Sequence, residues 1–500
     1  MLREHSDTLF HPPRRRGRCL VDRVARLRIL AAAAGLGLAL AGCDGEPSAP
    51  DQPLTETDQA QFENPLAFAA WTEPGSWPQF AHDPLHTGRG DVDFPSADLE
   101  FAWSFRPSEH VWVYKEGYCV WSPPVVGTVA GRTLVIAGYY DHNVYAVDAA
   151  TGKQAWAFPP GQPVFASPAL GRVGDRDMVF IAATNRSIYG LDAATGQKVW
   201  QFETQEWAFT GQPSKMSSPT IVRDGDRTLL LVGVWNADRS ASRNVQLGEL
   251  IALELEPDGY KLLWRKRLAS VPVWSPAVAK LDGKFLVFVS THHGELHALN
   301  LADGTSAWKT LLNEQTMSSP SLALDRGLGR VLIGTHLHTM LGHDLHTGTR
   351  RWRGQAGFWI DATPAWIATE TGASVVAGSQ DQYVYGWSVA DGQQQWKTKT
   401  GNYVPTSPSV ATVAGRPVAF VISWDEHLYM FDVANGRELW KTRCEPLIWS
   451  HVLQGSAVWP PPVVARVGDT PTVLFPAFDG VLYAYQPKNG ARTATSAAAD

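Results

Sequence analysis

The sequence predicts an all-β fold, an eight-bladed β-propeller of four-stranded antiparallel blades. Three observations carry this: a tryptophan that returns every 44 residues, a Ser-Pro or Thr-Pro that opens each repeat, and a last repeat whose missing strand is found near the other end of the chain.

Trp264, Trp308, Trp352, Trp396 and Trp440 are each 44 residues apart, and Trp156 and Trp200 share that spacing. Each repeat opens on a pair such as Ser167-Pro168, Ser275-Pro276, Ser319-Pro320, Thr363-Pro364 or Ser407-Pro408. Two apolar strands follow, then a third like Val144-Tyr145-Ala146-Val147-Asp148, a Gly turn, and a fourth strand carrying the Trp. The turn Asp148-Ala149-Ala150-Thr151-Gly152 recurs at Asp192–Gly196. Its Asp side chain bonds nearby N–H groups, and its Gly supplies the positive φ that reverses the chain. Four short strands per 44 residues is the period of a propeller blade.

The opening prolines Pro123, Pro168, Pro219, Pro276, Pro320, Pro364, Pro408 and Pro461 count eight blades. The last repeat runs out at Tyr485-Gln486-Pro487 with no Trp behind it, whereas Leu99-Glu100-Phe101-Ala102-Trp103 is a Trp-bearing strand with no blade before it. That strand is therefore expected to complete blade 8 and leave no open edge.

The N-terminus predicts export. Arg23, Arg26 and Arg28 precede an apolar stretch, Ile29–Leu40, too short to cross a bilayer. Leu40-Ala41-Gly42-Cys43 resembles a lipobox, which implies cleavage before Cys43 and its acylation. The organisation read from this is a signal peptide over 1–42, a flexible tether over 43–72, the propeller over 73–492 and a disordered tail over 493–500. The expected location is the periplasmic side of a bacterial membrane, with Asp44 leaving inner or outer membrane open. The net charge of -6 gives no basic face for a nucleic-acid partner.

Ala146-x-Asp148-x-x-Thr151-Gly152-x-x-x-Trp156 resembles the tryptophan-docking motif of the PQQ-like (quinoprotein-type) propeller repeat. Trp77-Pro78-Gln79-Phe80 through His86-Thr87-Gly88 is similar to that superfamily's lead-in. The resemblance spans about residues 75–490 and is specific for fold, because the docking Trp is a packing device.

In an alternating blade the fourth-to-first and second-to-third loops share one face, where propellers usually bind. The repeat register places Tyr140, Thr184, Trp235, His292, His336, Gln380, Trp424 and Phe478 at one position of that rim. Trp121, Trp274 and Trp459 lie two residues before opening prolines. The binding face is read as an aromatic and His-rich funnel built from these positions; the alternative is that its tryptophans plug a wide axial channel. His292, His336 and His338 are the metal candidates by imidazole chemistry, set against simple solvated histidines, and no metal is expected. Asp141, Asp361, Asp381, Asp425, Glu426 and Asp479 are the rim acids, read as loop-terminating and solubilising. Cys119 and Cys444 sit at comparable places in the long loops 104–122 and 441–460 that lead into neighbouring blades 1 and 8. A disulfide between them is expected, with two buried thiols as the alternative. A third long loop, 201–218, and the insertion Ala237–Gln246 add to the same face.

Two functions follow. The first is a non-catalytic, lipid-anchored monomer binding protein partners in the cell envelope, as its resemblance to the propeller lipoprotein of the outer-membrane β-barrel assembly machinery, BamB, implies. The second is an oxidoreductase using pyrroloquinoline quinone with calcium, with Trp274 under the quinone and Asp361 or Asp425 as base. The chain lacks the adjacent cysteines of quinoprotein alcohol dehydrogenases and a Cys-x-x-Cys-His haem site, which favours the first.

Overall fold

The computed structural model describes residues 68–107, 122–139, 141–204, 215–238, 245–270, 275–443, 460–477 and 480–488. The chain divides into two units, Met1–Gln52 and Pro53–Asp500, and all described residues lie in the second. Among the described residues there are eight sheets, antiparallel throughout except where Arg89–Phe94 joins its sheet in parallel, and no α-helix. The blades have four strands in sequence order; blade 3 gains the short strand Lys215–Met216, and blade 7 gains Arg89–Phe94. The first strands of successive blades touch one another, so they line the axis.

Closure follows the expected route. Strand Leu99–Phe105 pairs antiparallel with Leu482–Pro487, and blade 8 thus has its outer strand from the N-terminal side. Trp103 then covers Gly152, the turn glycine of blade 1. A continuous apolar cluster joins blades 7, 8 and 1 through Phe420, Phe475, Val135 and their neighbours, which seals the seam.

The docking tryptophans bridge blades by one repeated bond. Trp156, Trp264, Trp352 and Trp396 donate Nε1–H to the carbonyls of Ala193, Leu301, Val389 and Val433 in the next blade, at 3.0, 2.7, 2.8 and 2.6 Å. Within its own blade Trp396 faces Gly386, and across the seam it lies on Gly436. A Cβ at Gly386 would overlap the indole, and Gly436 has φ 72°, so both sites require glycine. In blade 3 the third strand turns into the fourth through Pro257-Asp258-Gly259 instead of the recurrent Asp-to-Gly turn. Trp200 there has no acceptor for Nε1 and packs its ring on Tyr260 at 5.1 Å.

The Ser and Thr residues before the opening prolines link the blades near the axis. Each backbone N–H of Ser275, Ser319 and Thr363 donates to the hydroxyl of the next blade's Ser319, Thr363 or Ser407, at 3.0, 3.2 and 2.9 Å.

Inside this ring runs the lead-in, from Gly75 to Gly88. It is bonded to the first strand of every blade in turn. Its acceptors are the carbonyls of Gly75, Trp77, Pro78, Pro84, Leu85, Thr87 and Gly88, with Gln79 Oε1 serving blade 3. The donors are the N–H groups of Arg466, Val126, Leu170, Val278, Leu322, Trp366 and Val410, with Ile221 in blade 3. Ala81, His82 and His86 adopt positive φ to bend the segment around the axis. Asp83 holds that curve by accepting Leu85 N–H, Thr87 N–H and the Thr87 hydroxyl. Phe68 and Trp71 are buried too.

Candidate functional site

The rim loops share one face, as the strand alternation requires. The N–H groups of Thr184, His336, Gln380 and Trp424 in second-to-third loops donate to the carbonyls of Pro163, Gln315, Trp359 and Tyr403 in the preceding fourth-to-first loops. Each pair is 21 residues apart, so the repeat that places the strands also places the rim.

Most rim acids are structural. Asp141, Asp381 and Asp425 each accept the hydroxyl of a tyrosine four residues on, Tyr145, Tyr385 or Tyr429, at 2.7, 2.6 and 2.5 Å. Asp381 and Asp425 also accept the N–H of Gly357 and Gly401 in the adjoining loop, at 2.7 and 2.6 Å. Burial and the facing carboxylates raise all three tyrosine pKa values, so these phenols stay protonated donors. Glu426 pairs with Arg443 at 2.8 Å. These side chains clamp loop to blade.

Asp361 is different. It is 3% exposed, accepts Gln380 Nε2–H at 2.5 Å, and has Oδ1 2.8 Å from His336 Nε2. His336 is stacked on Trp359 at 4.7 Å and 15°, and Trp359 on Phe358 at 4.9 Å and 16°. His338 extends the row, 5.0 Å from Phe358. His292 stands edge-on to His336 at 6.2 Å, with its Nδ1 buried and unpartnered. Burial, reinforced by His293 and His336, lowers the His292 pKa, which favours the neutral imidazole.

Of the sequence-predicted face, the structure brings His292, His336 and Gln380 together around Asp361. Trp424 lies apart against Tyr403, 5.6 Å between rings. Trp235 is not in a loop: blade 3 continues as the long strands Arg227–Asp238 and Val245–Glu256, and Trp235 pairs with Gly248 within them. Tyr140, Trp121, Trp274, Trp459, Cys43, Cys119 and Cys444 lie outside the described residues. Among the described residues no three His, Cys, Asp or Glu side chains converge on one metal position, so His292, His336 and His338 form no ligand set there. Sequence reasoning missed Phe358, Trp359 and Tyr403. The signal was present, because Gln315, Trp359 and Tyr403 are 44 residues apart on the loops that precede blades 5, 6 and 7.

Comparison with solved structures matches the fold. Quinohemoprotein alcohol dehydrogenase from Comamonas testosteroni is 14% identical with a TM-score of 0.61, covering 85% of this chain and 82% of its own. The ADHIIG quinohemoprotein alcohol dehydrogenase from Pseudomonas putida HK5 is 13% identical with a TM-score of 0.62, covering 86% and 83%. BamB from Moraxella catarrhalis is 15% identical with a TM-score of 0.51, covering 79% and 99%. No curated protein matches the sequence. The profile of the family described as "Outer membrane protein assembly factor BamB" matches residues 100–245, 247–419 and 341–499. Those spans take in all eight blades, and the chain belongs to that BamB family of PQQ-like repeat propellers.

Proposed function

We propose that this protein is a non-catalytic, protein-binding scaffold of the bacterial cell envelope, held on the periplasmic side of a membrane by acyl chains on Cys43. The observation that carries the reading is three exposed apolar side chains on rim loops of blades 5 to 7. Leu337 is 54% exposed, Phe358 38% and Tyr403 40%. They are three of the six exposed large hydrophobics among the described residues, and all three project from rim loops. Apolar groups gathered on one surface of a soluble body mark a contact with another protein. Membership of the BamB family supports the same reading.

The quinoprotein alternative draws on the dehydrogenase neighbours, whose low identity speaks for fold alone. The described rim suits pyrroloquinoline quinone with calcium poorly. Asp141, Asp381 and Asp425 have their oxygens committed to tyrosine or backbone donors, and Asp361 faces an amide and an imidazole.

A photo-crosslinking amino acid at Phe358 or Tyr403, introduced in intact cells, is expected to give discrete protein adducts. The same group at Lys284, which opens the second strand of blade 4 just after the turn from the first and hence lies at the opposite face, is expected to give none. Equal labelling at both faces, or a quinone absorption band with alcohol-dependent dye reduction after adding the quinone and calcium, would overturn the scaffold reading.

A further inference from the structure

The fourth strands form the outer wall of the propeller, because the first strands line the axis. In blades 3 to 7 these strands are Gly259–Leu268, Ser306–Leu311, Arg350–Gln355, Gln394–Lys399 and Glu438–Arg443. Together they carry twelve Lys or Arg and a single acid, Glu438. Those of blades 8, 1 and 2 carry two of each sign: Lys153, Lys198, Glu100 and Glu203. The repeat places this charge at one height. The residue after the docking Trp is Arg265, Lys309, Arg353, Lys397 and Lys441 in blades 3 to 7, but Ser104, Ala157 and Gln201 in the other three. The net charge of -6 therefore conceals a cationic side to the molecule.

Seven of the twelve face an acid of the fold, as Arg265 faces Glu249 at 3.3 Å and Arg353 faces Glu314 at 3.2 Å. Lys266, Arg350, Lys397 and Lys399 make no ion pair among the described residues. Cations on outer strands commonly keep one sheet from pairing with another. That role calls for them at every exposed edge, yet the outer strand of blade 8 has none. A flat surface can meet only part of an eight-bladed ring, and blades 3 to 5 concentrate the charge. Their outer strands hold eight of the twelve cations and no acid. Two of the six exposed large hydrophobics lie there as well: Leu262, 46% exposed, and Leu311, 59% exposed. Leu262 follows Lys261, and Leu311 comes two residues after Lys309, on the same side of its strand.

Separate leucines set among cations on an outward-curving wall match a lipid surface. Headgroup phosphates accept Lys and Arg at any spacing, and a leucine beside them reaches the acyl boundary. A folded acidic partner would instead need its charges gathered to match one patch. We propose that the outer wall of blades 3 to 5 rests on a bilayer that displays anionic phospholipid headgroups. This surface is distinct from the protein-binding rim, and the acyl anchor on Cys43 serves it only by keeping the bilayer near.

A photo-crosslinking amino acid at Leu311 tests this, in the full-length protein as cells process it, mixed with vesicles of equimolar phosphatidylglycerol and phosphatidylcholine. Phospholipid adducts are expected at Leu311 and not at Gln154, an exposed position on the outer strand of blade 1. Vesicles of phosphatidylcholine alone are expected to lower the yield about tenfold, and so is added salt. Lys266→Glu combined with Arg350→Glu is expected to do the same with the melting temperature unchanged, since neither residue is ion-paired. Equal adducts at Leu311 and Gln154, a yield indifferent to phosphatidylglycerol, or one that survives the double reversal would each overturn the proposal. Protein adducts at Leu311 in intact cells, with no lipid adducts, would assign the wall to an acidic protein instead. Protein crosslinks at Phe358 report on the rim alone and lipid adducts at Leu311 on the wall alone, so either reading can fail without the other.

Discussion

Replacing Trp396 by alanine is expected to lower the unfolding free energy by about 3–5 kcal/mol, the range for emptying a buried aromatic site. The indole fills the space between Gly386 of its own blade and Gly436 of the next, and neither glycine has a side chain to move in behind it. The change also strips the Val433 carbonyl of its indole donor. Trp440→Ala is expected to cost about half as much, because that ring is only partly buried and packs on Tyr485 at 5.7 Å. Urea unfolding followed by circular dichroism measures both. Equal losses would mean that burial depth and the inter-blade bond do not set the docking energy.

The second large effect is a pH dependence centred on His86. This side chain is fully buried in the lead-in, with Nδ1 donating to Pro320 O at 3.0 Å and Nε2 left without a partner. Burial lowers its pKa to about 4, against a modest upward pull from the Pro320 carbonyl and Asp83. The unfolded chain takes up this proton near pH 6.5 and the folded protein only near pH 4. Stability is therefore fully present above pH 6.5 and declines as pH falls toward 4, by about 3 kcal/mol in all. His86→Gln is expected to remove that slope. Asp83 acts in the next window down. Burial pushes its pKa up, but the His82 and Thr87 contacts outweigh this and hold it below the ordinary carboxylate value. Its contribution is present above about pH 4 and is lost as pH drops through the lowered pKa. Thermal melts of both proteins from pH 7 to pH 4 check the point; parallel curves would show that His86 is not the group responsible.

The blades were legible because their register is written in side chains with one physical job each. An indole every 44 residues, a hydroxyl before each proline and an Asp-to-Gly turn leave only the propeller arrangement, and Trp103 could be assigned to blade 8 for want of another place. The clamping role of the rim acids was legible as well, in the spacing of Asp141 and Tyr145, Asp381 and Tyr385, and Asp425 and Tyr429, but it was read only as loop termination. The lead-in was legible as a resemblance and not as a mechanism. It grips the blades through backbone carbonyls, which carry no residue signature, and through positive φ at Ala81, His82 and His86, where no glycine advertises the bend. Trp235 was misplaced because register counting assumes equal hairpins, and the blade 3 hairpin is longer than its neighbours. Asp361 stood out from the other acids only once its neighbours were visible, since having no tyrosine four residues on is a negative sign.

The segment from Gly75 to Gly88 has a consequence for the order in which the molecule is made. Its partners in blades 6, 7 and 8 are Trp366, Val410 and Arg466, synthesised hundreds of residues later. During translation the early blades can stack, but the axial strand has nothing to hold on its far side and the eighth sheet lacks its first three strands. Maturation must therefore wait for the whole polypeptide, and the slow step should be the late insertion of an early segment, as for chains dominated by distant pairings. A ribosome-stalled fragment ending before Val463 would be a protease-sensitive arc, however well formed each of its sheets had become.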